Sequence, residues 1–276
     1  MICGNIWAKD LIVYPQPEAF DDHRSDYALE LLRLALSEAG ADVDLQPSPV
    51  LMMQERAFTE LKRGNLHVTW VMTTRQREAD ALPIRIPIYK GLIGWRLPLV
   101  HASRSGALAG VRTLQQLAAF DAGQARDWPD TDILLANGLP VTTTVSYSGL
   151  FQMLGRQRFD YMPRSVVEVW DEAQAHRADG LIVDPHLVLH YQAAAYFFVN
   201  KQNTALAQKI TLGLERALNN GKFNRLFYSY HAKAIEQAQI SQRTVIELQN
   251  PLLPKETPLG RKELWLDFPA NPKTPR

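Results

Sequence analysis

The N-terminal part of the chain alternates between short apolar runs and amphipathic segments, and this alternation restricts the possible folds more than any other feature. Strands are predicted where apolar side chains form short runs, at residues 10–14, 43–45 and 66–72. Helices are predicted where apolar side chains recur at helical spacing, at residues 25–39 and 54–62. Ser25 is a suitable N-cap, and Gly40 and Gly64 are suitable stops. A β-α-β-α-β order predicts a mainly parallel sheet with helices on both faces.

A second α/β run follows a predicted strand at residues 92–101 and a small, polar connector at residues 103–110. Its helices are predicted at residues 113–117, 131–137, 148–154 and 166–175. Its strands are predicted near residues 118–122 and at 141–145 and 159–164, with a polar loop at 123–130. Strands at 187–191 and 196–199 then precede two helices, one from Asn203 or Thr204 to Leu218 and one at 222–231.

The chain ends in a proline-spaced segment that begins near Ile246 and contains Pro251, Pro254 and Pro258. Proline removes a backbone donor and interrupts regular structure, so an irregular tail is expected. We expect this tail to lie across the surface, with Trp265 and Phe268 as its anchors.

Composition excludes several classes of protein. The chain has 276 residues, of which 46% are hydrophobic and 21% are charged, as is typical of a soluble globular protein. The net charge of +1 argues against nucleic-acid binding driven by bulk charge. No apolar run reaches the roughly 20 residues that span a bilayer. Cys3 is the only cysteine, so no internal disulfide can form, and its lipidation is left open.

The N-terminal residues lack the basic and apolar regions of a secretion signal. Two interpretations follow from this: a cytoplasmic protein, or a chain that begins after its signal has been removed.

A polar stretch follows the predicted strand that ends at Met72. It contains Thr73, Thr74, Arg75 and Arg77. Strand ends that carry hydroxyl and guanidinium groups are where open α/β sheets bind small ligands. A guanidinium group can hold a carboxylate through two hydrogen bonds, so this stretch predicts a grip on a small carboxylate.

The order of these motifs resembles the family 3 extracellular solute-binding proteins of ABC importers, which have the type II periplasmic-binding-protein fold. The resemblance covers roughly residues 11–231. It rests on Val13-Tyr14-Pro15, on Thr74-Arg75-Gln76-Arg77 with Pro87-Ile88-Tyr89 after it, and on an aromatic strand followed by Asn200-Lys201-Gln202-Asn203, a long helix and Asn220-Gly221-Lys222-Phe223.

The resemblance implies an α/β protein with two lobes, each a mainly parallel sheet flanked by helices. The implied first lobe covers residues 10–98 and 192–235, the second covers 99–191, and a C-terminal extension covers 236–276. The implied function is capture of a small polar, carboxylate-bearing solute in the periplasm by hinge closure of the two lobes. The loaded protein would then dock on an ABC permease in the membrane. The resemblance implies no enzyme activity, cofactor, metal, nucleic-acid partner or membrane-spanning segment.

The resemblance also implies ligand-binding residues. Arg77 corresponds to the arginine that clamps a carboxylate, Thr74 to a nearby hydroxyl donor and Tyr14 to a cleft-lining aromatic residue. The full set of predicted ligand-binding residues is Tyr14, Thr74, Arg77, Tyr89, Gly123, Gln124, Arg126, Asp127, Trp128, Tyr161 and Arg164. Arg164 lies near the position where the family places an acid for the ligand's ammonium. This substitution favours a more anionic ligand unless Asp127 or Glu168 supplies the acid.

Each of these assignments has a structural alternative. Arg77 could pair with Glu78 or Asp80 at the surface, and Arg164 could pair with Glu168 four residues later. A sensory or partner-binding module on the same fold is the alternative function, since the proline-spaced tail differs from the family's usual ending. Catalysis has little support, because the seven histidines are scattered and no nucleophile elbow or phosphate loop is present.

Overall fold

The computed structural model describes residues 10–16 and 25–268. The question of lipidation at Cys3 therefore lies outside the described residues, as do Pro17 and His23. The chain divides into two compact units. The first contains the described residues up to Val71, together with Gln76–Ile88 and Tyr196–Ser229. The second contains Met72–Arg75, Tyr89–Ala195 and the described residues from Tyr230 onward.

The strands are β1 (Asp10–Gln16), β2 (Val43–Leu51), β3 (Val68–Met72), β4 (Leu82–Ile84), β5 (Trp95–His101), β6 (Ala122–Ala125), β7 (Val141–Thr144), β8 (Met162–Ser165), β9 (Leu181–Val183), β10 (Leu187–His190), β11 (Ala195–Val199) and β12 (Thr244–Glu247). The helices are α1 (Asp26–Glu38), α2 (Gln54–Arg63), α3 (Arg75–Asp80), α4 (Leu114–Leu117), α5 (Pro129–Ala136), α6 (Tyr147–Gly155), α7 (Val169–Ala175), α8 (Thr204–Asn219) and α9 (Lys222–Ala238).

Helix boundaries in the first unit follow the local signals that predicted them. Helix α2 ends at Gly64, which adopts a left-handed φ of 82° that glycine tolerates without steric cost. Helix α8 begins after Asn203, whose side chain accepts a hydrogen bond from the amide of Leu206 at 3.2 Å. The predictions of α1, α2 and α8 are therefore confirmed, but among the described residues the side chain of Ser25 makes no capping hydrogen bond at the start of α1.

The first unit contains a parallel pair, β1 and β2, and a three-stranded sheet in the order β3-β11-β4. Helices α1 and α8 pack in close contact at Gly213. A Cβ atom added at this glycine would lie 1.7 Å from the backbone oxygen of Ala35. The absence of a side chain at Gly213 therefore sets how closely these two helices approach.

The second unit contains a sheet in the order β12-β10-β5-β8, with β9 also paired to β5, and the parallel pair β6 and β7. Its hydrophobic core includes Leu97, Phe151, Phe159 and Met162. The predicted α/β class is confirmed, but β5 runs antiparallel to β8, β9 and β10, and β4 runs antiparallel to β11. A crossover helix enforces parallel pairing only between strands that are consecutive in the chain, as it does for β1–β2 and β6–β7.

The prediction of a strand near residues 118–122 with a polar loop at 123–130 is wrong in position. Strand β6 covers Ala122–Ala125, and α5 already begins at Pro129. The segment Ala-Gly-Gln-Ala has low intrinsic strand preference, and it is a strand because it pairs with β7 and is buried. Similarly, the strand expected at 92–101 begins only at Trp95, after a 3₁₀ turn at Leu92–Gly94.

The C-terminal region contains regular structure that the sequence pattern did not predict. Helix α9 continues to Ala238 rather than ending near residue 231, and β12 pairs in parallel with β10. The rest of the region, up to residue 268, belongs to the second compact unit. The unit boundaries also differ from the expected lobes, because residues 89–98 belong to the second unit.

Candidate ligand-binding residues

Strands β6, β7 and β8 of the second unit run in the same direction, although β8 belongs to a different sheet from β6 and β7. Strands β6 and β7 are parallel, with Ala125 opposite Thr144, and an isolated parallel bridge joins Ala122 to Tyr161 just before β8. The carboxyl ends of these strands therefore lie on the same side. This is the edge at which open α/β sheets present ligand-binding groups.

Exposed polar groups follow these strand ends. The amide of Arg126 donates to the oxygen of Thr144 at 3.0 Å, while its guanidinium side chain is exposed. Ser146 caps α6, its hydroxyl accepting from the amide of Gly149 at 3.1 Å. This edge thus offers the exposed guanidinium group of Arg126 beside hydroxyl groups and the N-terminus of α6.

The predicted residues on β6 are buried. A Cβ atom at Gly123 would lie 2.1 Å from the ring of Phe159, so this glycine allows the ring to cover the strand. The side-chain amide of Gln124 donates to the oxygen of Pro163 at 3.5 Å. Within the described part of the chain, the side-chain oxygen of Gln124, Oδ1 of Asp127 and the indole nitrogen of Trp128 are buried without a hydrogen-bond partner.

Arg164 lies in a buried ionic cluster. Its Nε and Nη2 donate to Glu172 at 2.7 and 2.6 Å, and Glu168 lies 3.1 Å from Nη2. The guanidinium group also stacks over Trp128, 4.5 Å from the ring centroid. Burial favours the neutral arginine, but the two glutamates outweigh burial and raise the pKa of Arg164 above its ordinary value. The alternative interpretation, a pair with Glu168, is therefore realised together with a stronger bidentate pair.

A second buried pair extends this cluster. Nη2 of Arg96 lies 2.7 Å from Asp130, whose carboxylate also accepts from the hydroxyl of Tyr191. Nη1 of Arg96 lies 3.7 Å from Glu168. Burial, the largest influence, raises the pKa of Tyr191 well above its ordinary value. Across the cluster two guanidinium groups face three carboxylates, so Arg164 does not present an uncompensated positive charge.

Tyr161 lies in the interior of the second unit with a fully buried side chain. Its burial, together with the nearby carboxylates of Asp121 and Asp160, raises its pKa above the ordinary value. Tyr89 is also buried, and its ring centroid lies 5.8 Å from that of His231. Both tyrosines therefore contribute to packing in the second unit.

In the first unit, Arg77 is buried, and it pairs with Glu55 on α2 at 3.1 Å. Its guanidinium group also lies 5.9 Å from the ring centroid of Phe58. Glu78 accepts instead from Arg85 at 2.6 Å. The side chain of Arg77 is therefore held in a defined position rather than solvated at the surface.

Tyr14 and Thr74 are also buried. Burial raises the pKa of Tyr14, against an opposing effect of Arg33, and its ring centroid lies 6.0 Å from that of Trp70. Thr74 is 8% exposed and belongs to the second compact unit, whereas Arg77 belongs to the first.

The first unit also has a surface groove of about 540 Å³ that the sequence reasoning missed. It lies at the C-terminal end of α2 and the N-terminal end of α8. Lys62, Arg63, His67, Asp80 and Lys201 contribute to its lining. Its lining residues come from three parts of the chain that are distant in the sequence, and none of the predicted ligand-binding residues lies in it.

In the part of the chain that the structure describes, no group of three or more histidine, cysteine, aspartate or glutamate side chains is arranged to hold a metal ion. Among the same residues, no helix combines the length and apolar character needed to cross a bilayer.

Comparison with known proteins gives structural similarity without sequence similarity. No protein-family model and no curated protein sequence matches the chain. An ancestral arginine-binding protein bound to arginine is similar, with a TM-score of 0.61 and 15% identity over 80% of this chain and 98% of that one. A histidine kinase sensor domain with similarity to periplasmic binding proteins gives a TM-score of 0.58 and 15% identity over 80% of this chain and 96% of that one.

The substrate-binding protein of an amino acid ABC transporter gives a TM-score of 0.57 and 11% identity, over 80% of this chain and 99% of that one. These three proteins match almost completely along their own length. The chain therefore has the type II periplasmic-binding-protein fold, with a region of its own beyond the shared part.

Proposed function

We propose that this protein is a solute-binding protein that captures a small, polar, carboxylate-bearing ligand. The observation that carries this proposal is the match of the fold to nearly the whole length of an arginine-binding protein. Function resides in sites rather than in folds, so the proposal also needs residues suited to such a ligand.

Arg77 is the proposed carboxylate-binding residue of the first unit. Its side chain is 6% exposed, and it pairs with Glu55, whose own side chain is 58% exposed. A guanidinium group suits a carboxylate ligand because its planar fork of N–H donors matches the two carboxylate oxygens. A buried and already positioned arginine loses little conformational entropy on binding.

Arg126 is the proposed cationic contact in the second unit, because its side chain is exposed at the carboxyl edge of β6. The role of Arg164 is less direct. Its pairing with Glu168 and Glu172 removes the reason to expect an unusually anionic ligand. An amino-acid-like solute and a more anionic solute are therefore both included in the test below.

The protein is proposed to act in the periplasm and to deliver its ligand to an ABC permease in the membrane, by analogy with the transporter protein of the same fold. The second candidate is a sensory module, which the similarity to a histidine kinase sensor domain favours. The proline-spaced C-terminal region, whose described residues belong to the second unit, would offer such a module a contact surface for a partner.

The test is a thermal-shift screen of the purified chain against amino acids, dicarboxylates, small peptides and sugar acids. A ligand that binds only the folded state raises the melting temperature with its concentration above the dissociation constant. A carboxylate hit supports the proposal and identifies the ligand class. If no compound of the panel raises the melting temperature of a protein that melts cooperatively, the result contradicts solute capture and favours the sensory or partner-binding candidate.

A further inference from the structure

We propose that residues 248–268, here called the C-terminal strap, act as one cooperative unit that holds the backbone at the points where the chain passes between its two compact units. The strap contacts three of the second unit's segments beside these crossings: Met72–Arg75, residues 89–94 and residues 192–195. The remaining crossing, at Ser229–Tyr230, lies within α9. This inference concerns the conformation of the chain, and it does not depend on the identity of any ligand.

The strap forms hydrogen bonds with each of the three segments. The amide of Arg75 donates to the oxygen of Leu252 at 3.1 Å. The side-chain amide of Asn250 donates to the oxygen of Gln192 at 2.8 Å. The amide of Leu266 donates to the oxygen of Lys90 at 2.8 Å. A single stretch of chain therefore contacts three segments that are distant in the sequence.

The three segments also bond to one another. The amide of Thr73 donates to the oxygen of Ala194 at 2.7 Å, and the amide of Tyr191, directly before the third segment, donates to the oxygen of Gly94 at 3.1 Å. A Cβ atom at Gly94 would lie 2.0 Å from the Tyr191 oxygen, so the two backbones are in direct contact there. Because the segments are already linked, a restraint on one of them is transmitted to the others.

The turn at Lys90 and Gly91 shows what the strap restrains. Lys90 has a φ of 49° and Gly91 a φ of 81°, so two consecutive residues adopt left-handed conformations. Such a conformation is strained for a non-glycine residue and persists only where surrounding structure holds it. The strap supplies this support, since the buried ammonium of Lys90 donates to the oxygen of Glu263.

Side-chain packing fixes the strap at the same turn. Trp265 covers Gly91, where an added Cβ atom would lie 2.7 Å from the indole ring. The indole nitrogen donates back to the oxygen of Pro258 at 3.0 Å, and Leu264 beside it is buried. Phe268 packs edge-on against Trp95, with ring centroids 4.8 Å apart. The end of the strap is therefore anchored by apolar contacts.

Hinge motions in two-unit proteins are absorbed by a few backbone positions next to the unit boundaries. The strap bonds to such positions, including the strained turn. The consequence is that release of the strap frees the connecting segments, and attachment of the strap keeps them in one backbone conformation. The strap would accordingly set how readily these segments rearrange.

Hydrogen exchange on the full chain tests this inference, with Trp265→Ala compared with the wild type. Cooperative behaviour predicts at least about tenfold faster exchange of the Arg75 and Thr73 amides, as well as of Leu266. Leu259→Ala is the matched control, because this strap residue is 49% exposed. Its exchange pattern should equal that of the wild type.

The reciprocal variant, Asn250→Ala, removes the bond to Gln192 at the opposite end of the strap. It should accelerate exchange of the Leu266 amide, and it also serves if Trp265→Ala does not fold. Acceleration confined to residues near each mutated position, in both variants, would overturn the proposal, since the strap would then be a series of independent local contacts.

Discussion

Glu172 receives two hydrogen bonds from Arg164, at 2.7 Å from Nε and 2.6 Å from Nη2, and both side chains are buried. The hydroxyl of Tyr147 donates to the same carboxylate at 2.8 Å. A bidentate pair of this kind fixes the orientation of both groups. In this protein it joins the end of β8 to α7, directly behind the proposed binding edge of the second unit.

Loss of the glutamate charge should destabilise the protein strongly. Glu172→Gln leaves the buried guanidinium of Arg164 with less compensating charge, and removal of one partner of a buried pair costs about 3–5 kcal/mol. Glu168→Gln is the matched control, since its side chain is 21% exposed against 6% for Glu172. Chemical denaturation should show a clearly smaller loss for the control. Equal losses in the two variants would contradict the assignment of Glu172 as the main partner.

The contrast between these two glutamates shows how far the sequence could be interpreted. The pair between Arg164 and Glu168 has a spacing of four residues, so it could be proposed from the sequence alone. The pair with Glu172 depends on the turn between β8 and α7. The pair between Arg77 and Glu55 joins two different helices, and the two residues are 22 positions apart in the sequence. Tertiary packing decides such contacts, and no local pattern encodes them.

The same distinction applies to the fold. Helices α1, α2 and α8 were predictable because periodicity, caps and left-handed glycines are local features. Strand β6 was misplaced because Ala-Gly-Gln-Ala has no β-branched residue, and its strand conformation depends on pairing with β7. The antiparallel partners of β5 come from distant parts of the chain. The pattern of apolar and polar residues within β5 therefore carries no information about the direction of these partner strands.

Packing of α1 against α8 gives a prediction for the first unit. Gly213→Ala would place a Cβ atom 1.7 Å from the oxygen of Ala35, which is a backbone atom that can move only with its helix. Overpacking of this kind costs about 1–3 kcal/mol, so the melting temperature should fall. Gly110→Ala is the control, because its Cβ atom would meet nothing within 4 Å. An unchanged melting temperature for Gly213→Ala would show that the two helices separate without cost.

The proposed carboxylate contact is tested by a change that keeps the charge of Arg77. Truncation to alanine would also cost stability, because the side chain of Arg77 is buried and paired with Glu55. Arg77→Lys retains the cation and loses the planar fork, so affinity for a carboxylate ligand identified in the screen should fall at least about tenfold. Calorimetric titration would measure this loss.

The control for this experiment is Arg75→Lys, because Arg75 lies two residues away on the same short helix and its side chain is exposed. Its affinity should equal that of the wild type. Equal affinities for the wild type, Arg77→Lys and Arg75→Lys would show that Arg77 does not contact the ligand, and the fold assignment would be unaffected.

The buried His231 should make stability depend on pH. Burial lowers its pKa from the ordinary 6.5 to about 4. Because the folded pKa lies below the unfolded one, the unfolded chain binds this proton first as the pH falls. The stabilising contribution is therefore complete above about pH 6.5, is lost between pH 6.5 and 4, and amounts to about 3 kcal/mol at most.

His231→Phe removes the titrating group and keeps an aromatic ring against Tyr89, whose centroid lies 5.8 Å from the histidine ring. The variant should show a shallower decline in the free energy of unfolding between pH 6.5 and 4, measured by denaturant titration at several pH values. His186→Gln is the control for the loss of one histidine at an exposed position. The result is decided by the slope of the free energy of unfolding against pH and not by the absolute stability, because this slope gives the number of protons that the chain takes up on unfolding. A decline as steep in His231→Phe as in the wild type would show that another group is protonated on unfolding.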